Sequence, residues 1–159
     1  QDAVATPRPT ATPASAPLKT PAPSTGDDYT TPSSQVQEEI LLNLLNQERI
    51  AQGLSPLTLD AELSRIARIK SADMRDNHYF AHESPTYGHV SDMLKTFGYS
   101  FSGAGENIAH HATTEKAHAA FMSSDGHRRN ILSSAWQKVG LGIVYDANGY
   151  VYVTQIFVR

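Results

Sequence analysis

The stretch that most restricts what this chain can fold into is residues 139–158. Val139-Gly140-Leu141-Gly142-Ile143-Val144-Tyr145 reads as one strand, and residues 150–158 read as its return. Asp146-Ala147-Asn148-Gly149 between them is a hairpin turn sequence. A strand with one wet face alternates apolar and polar residues. This pair is instead almost continuously β-branched and aromatic, which is the pattern of a strand covered on both faces. Such a hairpin needs a layer of other structure on each side. The segments upstream supply four helical patterns, so the expected fold class is α+β, a small antiparallel sheet flanked by helices.

The first helix is expected over residues 34–52, with Ser34 as cap, Gln37 at capping-box spacing and Gly53 as the stop. Val36, Ile40, Leu41, Leu44 and Leu45 recur at helical spacing and mark its buried face. Asn46, Glu48 and Arg49 beside that face read as groups that fasten a neighbouring loop. After a connector at residues 54–59, Asp60 reads as the cap of a second helix reaching residue 77. Leu63, Ile66, Ala67 and Met74 point inward, and Arg65, Arg68, Lys70 and Arg75 form a solvated face. A short third helix over residues 90–97 ends at Gly98. Residues 106–109 read as extended, His110 and His111 as loop. A fourth helix starts at Thr113 or Thr114 and buries Ala117, Ala120 and Phe121, with His118 as a surface histidine.

Residues 1–33 are a different material. Pro7, Pro9, Pro13, Pro17, Pro21, Pro23 and Pro32 sit among Ala, Thr and Ser, and the only aliphatics larger than alanine are Val4 and Leu18. Such a stretch buries too little apolar surface to offset its ordering entropy, so a disordered spacer is expected before a domain at residues 34–159. The net charge of -3 carries no basic signature, which argues against nucleic acid as a partner. The absence of cysteine excludes disulfides and thiolate chemistry. No apolar run reaches the roughly 20 residues of a transmembrane segment.

Chemistry is concentrated in three polar clusters. They are His82-Glu83-Ser84-Pro85, Gly105-Glu106-Asn107-Ile108 and Gly126-His127-Arg128-Arg129-Asn130-Ile131-Leu132. The expectation is that His82, Glu106 and His127 converge on one cleft. Imidazole is the commonest metal ligand, so His82 and His127 with water can hold zinc or another divalent cation weakly. Glu106 can orient an imidazole, or act as the catalytic base on metal-bound water if the protein is an enzyme. The same three residues can equally form a hydrogen-bonded network that ties loops together. His78 and His82 stand four apart, but Tyr79 occupies the glutamate position of a zinc-protease helix, so that reading is rejected. Gly103-Ala104-Gly105 is no dinucleotide loop, since Ile108 stands at the third glycine position. Ser84 and Ser124 lack a nucleophile-elbow context. Asn107, Arg128 and Asn130 read as further loop fasteners.

Taken in order, Asn46-Gln47-Glu48-Arg49, Leu57-Thr58-Leu59-Asp60, the three clusters above and Val139-Gly140-Leu141-Gly142 resemble the CAP superfamily, in its cysteine-free bacterial SCP-like branch. The resemblance covers about residues 36–158. It implies an α-β-α sandwich, a secreted or cell-surface location and a cleft with two histidines and two acids. His82 and His127 take the histidine positions and Glu106 the first acidic one. The second acid of the family falls three residues after a tryptophan; here Phe121 stands at that position and Ser124 falls where the acid belongs. The implied tetrad is therefore incomplete. The function implied is a cleft-based ligand or interaction module with a weak divalent-metal site, acting as a monomer. A metal-assisted hydrolase of peptides or cell-wall components and a lipid or sterol binder are the alternatives. The partner implied is a small-molecule, peptide, lipid or cell-surface ligand.

Overall fold

The hairpin forms the middle of the sheet. In the computed structural model, which describes residues 29–159, β3 (Lys138–Tyr145) and β4 (Val151–Val158) pair antiparallel from Lys138↔Val158 to Tyr145↔Val151. The spacer expected over residues 1–33 falls, as far as residue 28, outside the described residues. β2 (Ala104–His111) lies antiparallel along β4, and β1 (Thr58–Leu59) lies parallel along β3, giving the order β1-β3-β4-β2. The helices are α1 (Pro32–Ala51), α2 (Ala61–Asp76), α3 (Val90–Thr96), α4 (Thr114–Met122) and α5 (Asp125–Ile131).

Alternation along the strands assigns the two layers. Val139, Leu141, Ile143, Val153 and Phe157 pack with Leu41, Leu45, Ala117, Phe121 and Ile131, so α1, α4 and α5 cover one face. Ile156 and Val158 pack with Leu63, Ile66, Ala67, Met93 and Leu94, so α2 and α3 cover the other. The result is the expected sandwich, with a short parallel strand added at one edge of the sheet. Gly140 and Gly142 face α2. A Cβ on Gly140 would overlap the Leu63 carbonyl carbon, and one on Gly142 would overlap the Arg68 nitrogen and the Ala67 carbonyl carbon. The Val-Gly-Leu-Gly-Ile pattern thus puts bulk on one face and lets a helix backbone lie directly on the other.

Several expectations are corrected. Five helices form among the described residues, because the chain breaks at Ser123 and Ser124 between α4 and α5. α1 starts earlier than expected: Thr31 is its cap, accepting from Ser34 N–H at 3.0 Å, and Pro32 opens the helix. Val36 is 54% exposed, and the buried stripe is Ser34, Glu38, Leu41, Leu45 and Arg49. On α2, Arg68 and Lys70 are buried rather than solvated. Arg68 meets Glu38 of α1 at 2.7 Å. His110 and His111 extend β2 instead of forming a loop. The His110 ring stacks on Tyr152 at 3.9 Å, and its Nε2 lies 2.7 Å from Asp146 Oδ2. His118 is buried, with Nε2 2.9 Å from Glu48 Oε2, so it joins α4 to α1 instead of facing water.

Candidate functional site

The His82 loop is held from α2. Past the C-terminus of α2, His78 is exposed in a left-handed turn (φ 57°), which reverses the chain. The loop then returns along the helix it has just left. Lys70 Nζ donates to the Ala81 and His82 carbonyls, each at 2.9 Å. The Tyr79 hydroxyl donates to Asp73 Oδ2, and Ser84 Oγ donates to the same oxygen at 2.6 Å. Asn77 Nδ2 donates to Asp73 Oδ1 at 2.6 Å. Ser84 Oγ also accepts from the Thr86 and Tyr87 N–H groups at 2.9 and 3.0 Å. Ser84 is thus fully engaged in shaping the loop and has no nucleophile's environment.

That framework sets the His82 ring beside β2. His82 Nδ1 lies 2.9 Å from Glu106 Oε1, with the His82 side chain 30% exposed and that of Glu106 only 4%. Glu106 Oε2 is buried without a hydrogen-bond partner among the described residues. The Lys70 ammonium compensates part of that cost. Burial pushes Lys70 below its ordinary value, and the charges of Glu106, Asp73 and Glu83 oppose the push. A carboxylate on Nδ1 fixes the imidazole's orientation and directs Nε2 away from the protein carboxylate.

His127 is buried on α5, its ring edge-on to Phe121 with centroids 5.1 Å apart. Two asparagines bind α5 to β2. Asn107 Nδ2 donates to the His127 carbonyl at 3.2 Å and to Gln155 Oε1 at 2.9 Å. Asn130 Nδ2 donates to Asn107 Oδ1 at 2.9 Å and to the Glu106 carbonyl at 3.3 Å. The structure therefore joins His82 to Glu106 directly and anchors the His127 peptide to the residue after Glu106. Among the described residues, no group of three or more His, Asp or Glu side chains is arranged to hold a metal ion. Any ion taken up by His82 and His127 would need water for its remaining ligands.

The other residues singled out from the sequence have positions of their own. Ser124 is the N-cap of α5, and Asp125 points outward to Arg128 Nη2 at 2.6 Å because the helix breaks just before it. Arg128 Nη1 also donates to the Met122 carbonyl at 3.2 Å, bridging the break. Asn46 clamps Leu57 through both backbone groups, at 2.8 and 3.1 Å. Arg49 donates to the carbonyls of Ser55, Ile131 and Ser133, at 2.7 to 2.8 Å. Sequence reasoning missed Lys70 and Asp73, which support the site from beneath. Both fall on the stripe of Leu63, Ile66, Ala67 and Met74, and that position was the available signal.

The tyrosines around this framework give a prediction. Burial raises Tyr79, with Asp73 adding to it, and Tyr87 and Tyr99 are pushed up to about 12, again chiefly by burial. The folded protein therefore keeps protons that the unfolded chain releases above the ordinary tyrosine value of 10.0. Their contribution is complete below pH 10 and is lost as the pH rises toward 12. Lys70, lowered in the fold, works in the opposite direction as the pH approaches 10.5, but it is one group against three. Urea midpoints measured from about pH 8 to about pH 11 are expected to fall steeply beyond about pH 10. A flat profile would count against burial of these rings.

Residues 42–157 match the model of the cysteine-rich secretory protein family, CAP. The chain belongs to the CAP family. It is 45% identical over 140 residues to the uncharacterized protein YkwD of Bacillus subtilis, a match that spans 84% of this chain and 54% of that protein. The crystal structure of an extracellular protein containing an SCP domain from Bacillus anthracis matches with a TM-score of 0.72 and 34% identity, over 82% of this chain and 44% of that one. NaASP2, in a crystal structure with Zn²⁺, matches with a TM-score of 0.54 and 15% identity, over 84% of this chain and 83% of that one, a likeness of fold alone. The chain spans about half the length of the two bacterial relatives. The sandwich is the CAP fold. No helix among the described residues is long and apolar enough to cross a membrane.

Proposed function

We propose that this CAP domain is an extracellular ligand-recognition module whose polar centre is the His82–Glu106 pair. The observation that carries this reading is a partly exposed imidazole held at 2.9 Å by a buried carboxylate. The carboxylate fixes one ring nitrogen, and the other is oriented for a ligand before the ligand arrives, which lowers the ordering cost of binding. Lys70 and Asp73 hold the loop rigid from α2, so the pair sits on a framework rather than on a free loop. Extracellular placement draws on the Bacillus anthracis relative, described as extracellular.

The test is imidazole NMR during titration with soluble peptidoglycan fragments and with short peptides. Saturable shifts of the His82 ring are expected with one of the two panels, and Glu106→Gln is expected to weaken that binding about tenfold. Shifts that are confined to other surfaces with both panels would sink the proposal. Turnover of either panel that depends on added metal and disappears in Glu106→Gln would replace it with the hydrolase. Saturable uptake of a fluorescent sterol or fatty acid in place of either panel would replace it with the lipid binder.

A weak divalent site at His82 and His127 is the second reading. The observation that favours it is the carboxylate on His82 Nδ1, since a carboxylate on one ring nitrogen raises the other's strength as a ligand. The donor set reaches two imidazoles, below the three or four protein ligands of catalytic and structural zinc sites. Zinc titration by calorimetry is expected to give binding no tighter than the micromolar range, abolished in both His82→Ala and His127→Ala. Unchanged binding in the two variants would remove the site.

A further inference from the structure

A hollow lies beside α5. Arg128, Arg129, Asn130, Leu132, Ser133 and Trp136 line an open hollow of about 510 Å³, a volume in the range of small-molecule sites. None of these residues belongs to the His82–Glu106 pair. We propose that this hollow binds a sugar-sized ring bearing an oxyanion, either carboxylate or phosphate, with Arg129 as the charge partner and Trp136 as the stacking wall.

The two arginines differ. Arg128 is engaged by Asp125 and the Met122 carbonyl. Arg129 is exposed and has no hydrogen bond or ion pair among the described residues, so its planar fork can take two oxygens of an oxyanion at once. The chain carries a net charge of -3, so an exposed guanidinium with no direct ion pair among the described residues, and only the field of Asp125 near it, is a local exception. Trp136 is fixed in place. Its Nε1 donates to the Asn130 carbonyl at 3.0 Å, and its ring stacks on Phe157 with centroids 6.0 Å apart. Gly105 lies beneath it, where a Cβ would come within 3.0 Å of indole Cζ2. The indole wall therefore needs no ordering when a ligand stacks on it. The Ser133 hydroxyl, which accepts from Ala135 N–H at 3.1 Å, keeps its own proton for a ligand hydroxyl. An aromatic wall, one unpaired guanidinium and a hydroxyl at the rim suit a hydroxylated ring with one negative group.

The chain has one tryptophan, so intrinsic fluorescence reports on this hollow directly. The full chain would be titrated with glucuronate, glucose 6-phosphate, glucose and inorganic phosphate. A saturable change is expected with glucuronate, glucose 6-phosphate or both, and the tighter of the two identifies the oxyanion. Glucose and inorganic phosphate are expected to bind at least about tenfold more weakly, since each lacks half of the recognised chemistry. Arg129→Gln, an exposed change, is expected to weaken binding about tenfold, while Lys95→Gln on α3 leaves it unchanged. The proposal is overturned by no saturable change with either acidic sugar, by equal affinity in Arg129→Gln, or by equal affinity for inorganic phosphate and glucose 6-phosphate.

Discussion

Gly142→Ala is expected to destabilise the fold by more than about 4 kcal/mol, beyond the range of most single substitutions. The added methyl group would overlap the Arg68 nitrogen and the Ala67 carbonyl carbon. Both are helix backbone, so no side-chain rotation relieves the clash. Either α2 moves off the sheet, or β3 moves off β4. The first opens the layer built on Leu63, Ile66 and Ala67, and the second breaks the central pairing of the sheet. Ordinary overpacking costs about 1–3 kcal/mol because flexible side chains absorb it, and here nothing flexible is available. Gly53→Ala is the matched control. Gly53 has φ 77° and nothing within 4 Å of the added atom, so only backbone strain of about 1 kcal/mol is expected. Urea midpoints of the two variants separate packing from strain. A Gly142→Ala midpoint equal to that of Gly53→Ala would show that α2 does not rest on β3 as described.

The glycines of β3 show which parts of the fold could be read from the sequence. Val139-Gly140-Leu141-Gly142-Ile143 gave away a strand covered on both faces, because β-branched bulk has a period of two and leaves little choice of register. The buried ionic residues were harder. Arg68 and Lys70 read as a solvated face because lysine and arginine are almost never fully buried without partners. Their partners come from distant segments: Glu38 from α1 for Arg68, and the His82 loop for Lys70. Residue type pointed outward while position pointed inward. The stripe of Ser34, Glu38, Leu41, Leu45 and Arg49 on α1 shows the same conflict, since it excludes the apolar Val36 and includes two charges. The candidate site divides in the same way. The ordered motifs marked out His82 and Glu106, which meet at 2.9 Å. Asp73 and Lys70, which support the loop, have no motif of their own and become visible only once the loop is seen to return along α2.

Glu38→Ala is expected to cost about 3–5 kcal/mol, the usual range for breaking a buried ion pair from one side. The reason lies in the shape of the sheet. β1 pairs with β3 only through Thr58 and Leu59, so the flank of β3 beyond Val139 has no strand beside it. Its backbone groups are buried and must still be satisfied. Side chains from α1 and α2 take the place of the missing strand. Ser64 Oγ accepts from Leu141 N–H and Glu38 Oε2 accepts from Ile143 N–H, each at 3.1 Å. Glu38 Oε1 meanwhile accepts from Arg68 Nη1 at 2.7 Å. Truncation to alanine removes both contacts, depriving a buried guanidinium of its carboxylate and a central strand of an acceptor. Glu38→Gln keeps one oxygen for Ile143 N–H and loses the charge and the acceptor that faces Arg68, so it is expected to cost less than truncation. Adding Arg68→Met to Glu38→Ala is expected to recover part of the loss, because the uncompensated charge goes while the Ile143 N–H stays unserved. Glu38→Ala as the least stable of the three by urea unfolding is the signature of a side chain standing in for a strand. If Glu38→Ala fell within about 0.5 kcal/mol of the parent, as a surface substitution does, the flank of β3 would have to be satisfied by other groups.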